Sequence, residues 1–136
     1  MTIYAAPIIA NPPIVMDHES HSLLIWSGIV ELDYRDIVPQ PKPGQWLSDD
    51  LEFRLANLPT TKWDPKKPFS AAVSAWPSSF DVEADTGKTS HFGWAIDGTS
   101  VDFVPQSGLA DISIKVASKI PESLVLRVGY QLMMSR

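Results

Sequence analysis

The sequence predicts an all-β protein, an antiparallel β-sandwich of six to eight strands with an extended N-terminal arm. Three observations lead to this fold class. Several segments alternate apolar and polar residues with period two, turn-forming residues recur about every ten residues, and no segment shows a long helical pattern. Because each such strand has one apolar face, the strands need a second layer to cover it, and a sandwich of two sheets provides that layer.

The length and composition are those of one ordinary domain. The chain has 136 residues, and a chain of this size buries roughly 65–70% of its unfolded surface. Its 16 acidic and 11 basic residues give a net charge of −5, which disfavours nucleic acid as a partner, because phosphate contacts need a basic surface. The absence of cysteine excludes disulfides, a thiol nucleophile and cysteine-ligated metals.

The N-terminal segment is predicted to be an extended arm at residues 1–21, before a single domain at residues 22–136. Residues 1–16 are apolar, carry no Lys or Arg, and contain Pro7, Pro12 and Pro13. These features do not fit a secretory signal, and no apolar run is long enough to span a membrane. Two alternatives stay open for the compartment, the cytoplasm or export by a non-classical route. Two also stay open for the arm, which either packs across its own domain or reaches a neighbouring subunit.

Strand periodicity is clearest in three segments of the domain. Residues 24–34 and 124–134 place apolar side chains at every second position, and Ile112, Ile114 and Val116 alternate with polar residues. Residues 48–58 are ambiguous, because Leu51, Leu55 and Leu58 also have helical spacing. We favour a strand there because the surrounding segments are all β.

Two connections are predicted from turn chemistry. Asp97-Gly98 stands between alternating runs, and such a pair is the strongest short-range signal for a hairpin with a type I′ turn. Residues 120–123 are predicted to join the last two strands as a second hairpin.

The clusters of potential ligands match no established metal or catalytic motif. His18, Glu19 and His21, with His91, contain the atoms of a zinc site, but their spacing follows no zinc signature. Residues 81–87 are acidic, but their spacing departs from that of an EF-hand, so calcium in this loop stays only an open alternative. No catalytic motif is present. We therefore predict a non-enzymatic protein without metal or cofactor.

The tryptophans carry the main prediction of a binding site. Trp26 and Trp94 lie on apolar strand faces and are predicted to be core residues. Trp46 and Trp63 lie in or beside the Pro-rich segments 38–44 and 59–68, where we expect them to be exposed; the open alternative is that such a tryptophan folds back over the edge of the sandwich. A flat aromatic face suits a sugar ring or a protein partner, and Asp64 offers a hydrogen-bond acceptor next to Trp63. We predict that these loop residues bind ligand.

A series of short motifs resembles the H-type lectin domain over about residues 27–120. The motifs are Ser27-Gly28, Trp46, a β run ending near 53–58, Lys67-Pro68-Phe69, Ala72-Val73-Ser74, Phe80-Asp81-Val82 and the strand at 112–116. Two features depart from the family pattern. Residues 105–109 contain no aromatic residue, and a strong additional strand follows at 124–134.

The resemblance implies a sugar-binding sandwich that assembles as a homo-oligomer, with the trimer as the family's usual form. It adds Asp33 and Trp94 to Trp46 as site residues. The function predicted from the sequence is therefore non-catalytic carbohydrate binding, with glycans as partners. The alternative is a structural or assembly protein that forms homo-oligomers through its arm and its Pro-rich loops.

Overall fold

The computed structural model describes residues 2–34, 46–82, 93–119 and 124–136. Nine strands lie in these ranges: β1 (Thr2–Tyr4), β2 (Pro7–Ala10), β3 (Ile14–His18), β4 (His21–Asp33), β5 (Trp46–Leu55), β6 (Ser70–Val82), β7 (Gly93–Val104), β8 (Leu109–Lys119) and β9 (Leu124–Ser135). The predicted all-β sandwich is confirmed, as is the strand predicted within residues 48–58.

The strands form two sheets. Sheet A has the order β1-β5-β8-β7, and sheet B has the order β2-β4-β9-β6, with β3 also paired to β4. Every pairing is antiparallel except that of β1 with β5. The three short strands β1 to β3 lie in the predicted arm, so within the described ranges the arm packs along its own domain and contributes to both sheets.

The core lies between the sheets and follows directly from the period-two alternation. The inward positions of the central strands are filled by buried apolar residues: Leu24, Val30 and Leu32 on β4, Leu51, Phe53 and Leu55 on β5, Ile112, Ile114 and Val116 on β8, and Leu126, Val128, Tyr130, Leu132 and Met134 on β9. The rings of Phe53 and Tyr130 meet across the core at 4.8 Å. Full burial of a single Val, Leu, Ile, Phe or Met side chain stabilises the fold by about 1.5–3 kcal/mol.

A buried polar cluster joins the two sheets at one end of the core. Tyr34, directly after β4, donates a hydrogen bond of 2.8 Å to Asp49 on β5, and its hydroxyl lies 3.0 Å from that of Ser118 on β8. All three residues are buried. Burial is the main cause that raises the pKa of Tyr34 above its usual value, so the phenol is protonated and donates to the carboxylate.

Both hairpins predicted from turn chemistry are wrong. β7 runs through Asp97-Gly98 without turning, and its pairing with β8 shifts register between Ile96 and Gly98, which marks a β-bulge. The chain turns instead at Pro105–Ser107, a short 3-10 turn closed by Gly108 at φ 66°. The final pair is also not a hairpin, because β8 lies in sheet A and β9 in sheet B. Residues 120–123 lie outside the described ranges.

Candidate functional site

The outer face of sheet A presents a regular array of polar side chains. Strand pairing aligns the outward residues of β5, β8 and β7 in rows across the sheet. The rows are Arg54–Asp111–Asp102, Glu52–Ser113–Ser100, Asp50–Lys115–Gly98, Ser48–Ala117–Ala95 and Trp46–Lys119–Gly93. Successive rows are about 7 Å apart, since each step along a strand covers two residues.

This array contains a groove. A depression of about 820 Å³ lies between Tyr4 on β1 and Asp102 on β7. A second depression of about 310 Å³ extends towards Gly98 and shares Ser100 and Ser113 with the first. Because they share these residues, the two depressions are neighbours along the strands, and together we call them the outer groove. The first depression by itself has the volume of a small-molecule site.

The floor of the outer groove is built from small side chains. Ser113 and Ser100 face each other across β8 and β7, and Gly98 lies in the next row. A Cβ built on Gly98 would have no heavy atom within 4 Å, so this glycine opens directly to the groove. Serine hydroxyls both donate and accept hydrogen bonds. The floor can therefore pair with hydrogen-bond donors and with acceptors of a ligand.

One wall of the groove carries a fixed ion pair. Arg54 donates two hydrogen bonds to Asp111, from Nε to Oδ1 at 2.7 Å and from Nη2 to Oδ2 at 3.0 Å. These hydrogen bonds lower the pKa of the Asp111 carboxyl and raise that of the guanidinium. Both groups are therefore charged at neutral pH, and the bidentate geometry fixes their orientation.

Aromatic side chains border this face at two places. Trp46 is 57% exposed at the start of β5. A Cβ built on Gly93 would lie 3.3 Å from Cη2 of that ring, so the indole extends across β8 and lies over the glycine. Tyr4 is 79% exposed and lines the other end of the groove. The arm therefore supplies one of the two aromatic rings, and β5 supplies the other.

The loop residues predicted to bind ligand do not lie together. Trp46 is the first residue of β5 and is exposed. Trp63 follows the opposite end of that strand, and the expectation that it is exposed is wrong, because it is only 8% exposed. It packs edge-on against Phe103, and the Arg136 guanidinium lies 5.2 Å from its ring centroid. Neighbouring hydrophobic residues override the polar, Pro-rich sequence around this tryptophan.

The remaining predicted site residues are also dispersed. Asp64 accepts a hydrogen bond of 2.9 Å from the backbone N–H of Lys66 and so stabilises its own turn. Trp94 points inward and packs against the core, as the alternation predicts. Asp33 lies on β4 opposite Val125, in sheet B. None of these three residues lines the outer groove.

The candidate metal ligands give no assembled site within the part of the chain that the structure describes. His18 and His21 pair across the β3–β4 turn, but no group of three or more His, Asp or Glu side chains in the described residues could hold a metal ion. His91 and most of the acidic segment 81–87 lie outside the described residues.

Sequence reasoning missed the residues that line the groove. The only sign of the groove in the local sequence is the row of polar residues that alternate with apolar ones along β5, which includes Glu52 and Arg54. The pairing of β5 with β8 was not predictable from that signal, since Arg54 and Asp111 are 57 positions apart. Tyr4 was considered only as part of an apolar arm.

Comparison with protein-family models, curated proteins and solved structures finds no match to this chain. In the described ranges, no helix has the length and apolar character required to cross a membrane.

Proposed function

We propose that this protein is a non-catalytic carbohydrate-binding β-sandwich whose ligand lies along the outer groove of sheet A. The observation that carries the proposal is the composition of that groove. Its floor is small and hydroxylated, its wall holds an oriented Arg54–Asp111 pair, and the exposed ring of Tyr4 lines it. Trp46 does not line the groove but is exposed beyond it on the same face of sheet A.

Each of these features matches a part of a sugar. A pyranose ring has an apolar face that packs on an aromatic ring, and a rim of hydroxyls that donate and accept hydrogen bonds. Trp46 and Tyr4 offer the flat faces. The serines of the floor and the fixed ion pair offer donors and acceptors in defined positions.

The length of the outer face of sheet A favours an oligosaccharide over a monosaccharide. The rows from Arg54 to Trp46 span eight residues along β5, which is about 27 Å of strand. A ligand that touches both ends of this face must therefore contain several sugar units.

The charge state of Asp111 disfavours a role for this residue as a general acid. A general acid must carry a proton that it can donate, and Arg54 keeps the pKa of Asp111 below its usual range. The carboxylate can accept hydrogen bonds from sugar hydroxyls but holds no proton to transfer at neutral pH.

The test is tryptophan fluorescence during titration with mono- and oligosaccharides. We expect dissociation constants between millimolar and micromolar, which correspond to about −4 to −8 kcal/mol. Trp46→Ala should weaken oligosaccharide binding by about 0.5–1.5 kcal/mol, because one aromatic contact is lost. Gly98→Val should also weaken it, because the new side chain enters the open space above Gly98, where its Cβ meets no heavy atom within 4 Å.

The matched control is Trp76→Ala, which removes an exposed tryptophan from the outer face of sheet B. With a soluble oligosaccharide this variant should have the parent's dissociation constant per site, because self-association through sheet B changes avidity and not the affinity of a single groove. If a broad glycan panel gives no binding, or if Trp46→Ala and Gly98→Val both bind like the parent, the proposal is wrong.

A second candidate function, assembly through self-association, is favoured by the outer face of sheet B. This face carries exposed apolar residues on four of its five strands: Ile9, Ile14, Met16, Trp76 and Met133. Large apolar side chains exposed together on one face often mark an interface with another protein. We propose that copies of the chain cover this face in a homo-oligomer, which would also present several outer grooves together and raise avidity.

A further inference from the structure

We propose that the outer groove selects oligosaccharides that carry free amino groups over neutral ones and excludes anionic ones. This inference rests on the proposed sugar-binding function and adds the chemical class of the ligand. It follows from the charges that face the groove and from the way in which two of them are paired.

Carboxylates outnumber cations along the groove. Among the described residues that line it, five are acidic and two are basic: Asp50, Glu52, Asp97, Asp102 and Asp111 against Arg54 and Lys115. A channel lined mainly by one sign of charge concentrates ligands of the opposite sign. A glycan with uronate or sulfate groups would instead meet repulsion along its whole length.

The first row shows where a cation would bind. Asp102 on β7 lies directly opposite Asp111 on β8, and like charges in directly opposed positions destabilise a sheet. Arg54 compensates Asp111 from the far side with two hydrogen bonds. Asp102 has no hydrogen bond or ion pair among the contacts of the described residues.

An ammonium group on the ligand fits this arrangement. It carries three N–H donors and one positive charge, so it can donate to Asp102 and still hydrogen-bond to a neighbouring hydroxyl of the floor. Its charge would offset the repulsion between the two opposed aspartates. An acetylated amine lacks that charge, and a hydroxyl in its place provides a single donor.

The experiment compares three oligosaccharides of equal length by calorimetric titration: a chitosan oligomer with free amines, its fully N-acetylated counterpart, and an oligogalacturonate. We expect the free-amine oligomer to bind about fivefold tighter than the acetylated one, the gain from one exposed ion pair, and the oligogalacturonate not to bind. Raising the salt from about 0.1 M to about 1 M shortens the Debye length from about 10 Å to about 3 Å. That change should remove most of the preference and leave the acetylated oligomer unaffected.

Variants locate the effect within the groove. Asp102→Asn keeps the size of the side chain and removes its charge, so the preference for the free-amine oligomer should fall to about twofold or less. Because this change also relieves the repulsion with Asp111, the variant should fold at least as stably as the parent. The control Glu19→Gln changes net charge equally, but on the β3–β4 turn, and should retain the parent's preference.

The outcomes separate this inference from the proposed function. Equal binding of the free-amine and acetylated oligomers, or an unchanged preference in Asp102→Asn, overturns the amino-sugar assignment and leaves sugar binding intact. Failure of all three oligosaccharides to bind overturns the amino-sugar assignment, and the broad glycan panel then decides whether the proposed function is overturned with it. If spermidine binds as tightly as the chitosan oligomer, the groove recognises cations without the sugar, and the assignment is likewise overturned.

Discussion

At the scale of single residues, two buried tyrosines carry hydroxyl groups in opposite circumstances. The Tyr34 hydroxyl donates to Asp49 and meets Ser118, so it links strands of both sheets. The Tyr130 hydroxyl is buried and has no hydrogen-bond partner within the described ranges. Burial alone raises the pKa of Tyr130 to about 12. Both residues are buried tyrosines. The Tyr34 hydroxyl contributes hydrogen bonds to the fold, whereas the Tyr130 hydroxyl contributes none within the described ranges.

This difference leads to a prediction for two matched variants. Tyr34→Phe should lower the free energy of unfolding by about 1–3 kcal/mol, because it removes the donor of a buried hydrogen bond to a carboxylate. Tyr130→Phe should leave stability within about 0.5 kcal/mol of the parent or raise it, because the lost hydroxyl was desolvated without a partner. Urea unfolding followed by fluorescence measures both. Equal losses in the two variants would contradict the assignment of the network to Tyr34.

At the scale of strands, glycines mark two different kinds of close packing. Gly28 on β4 lies where β2 and β9 both approach. A Cβ there would overlap the Ile9 carbonyl oxygen and lie 2.6 Å from the Tyr130 hydroxyl. Gly98 on β7 lies just after a bulge and has open space above it. The first glycine lets the arm lie against β4, and the second opens the floor of the groove.

The corresponding prediction compares one methyl group at each site. Gly28→Ala should destabilise the protein by about 1–3 kcal/mol, since the strands must separate to admit the new carbon. Gly98→Ala should change stability by no more than about 0.5 kcal/mol, as is usual for an exposed surface position. Thermal or urea unfolding of the two variants beside the parent provides the measurement. A loss at Gly98 as large as that at Gly28 would show that the bulge requires glycine.

Bulges and charged rows also organise the outer surface of sheet B. β6 shifts register between Pro77 and Ser79 where it pairs with β9, and proline in a sheet requires such an irregularity or an edge position. Next to this shift, Arg127 on β9 bridges Glu31 at 3.2 Å and Asp81 at 2.7 Å. The ion pairs of Arg127 therefore connect β9 to the strands on both sides of it, and the exposed apolar residues of this face lie further along the sheet.

At the scale of the whole molecule, the two outer faces differ in character. The outer face of sheet A is polar and grooved, whereas that of sheet B carries most of its exposed hydrophobic residues along β2, β3, β6 and β9. The division is consistent with one face for ligand and the other for association between copies. It also means that the two proposed roles can be disrupted independently.

We predict that the protein is a homo-oligomer that Met133→Glu weakens. Met133 is exposed on β9 at the centre of the apolar face, and a buried unpaired charge there would be costly in an interface. Val104→Glu places the same charge at an exposed apolar position of sheet A and should leave the assembly unchanged. Sedimentation equilibrium at tens of micromolar reports the mass of each form. A monomeric mass for the parent chain would refute self-association.

The sequence by itself determined the long strands β4, β5, β8 and β9 and which of their side chains point inward, but not the three short strands of the arm. The alternation around Leu51, Phe53 and Leu55 predicted β5 correctly, because the side chains of a strand alternate between its faces whatever its neighbours are. The same local rule placed Trp94 in the core and, with the absence of a helical pattern, led to the sandwich fold.

Only the tertiary structure decided which strands are neighbours. The row that joins Arg54, Asp111 and Asp102 exists because β8 lies between β5 and β7, and period-two alternation is the same for any order of strands. Asp97-Gly98 suits a tight turn and a bulge alike, and the long pairing of β7 with β8 selects the bulge. Trp63 has the local sequence of an exposed loop, yet Phe103 and Arg136 cover it. In each case the structure depends on contacts between residues that are far apart in the chain. A local sequence pattern carries no information about the free energy of those contacts.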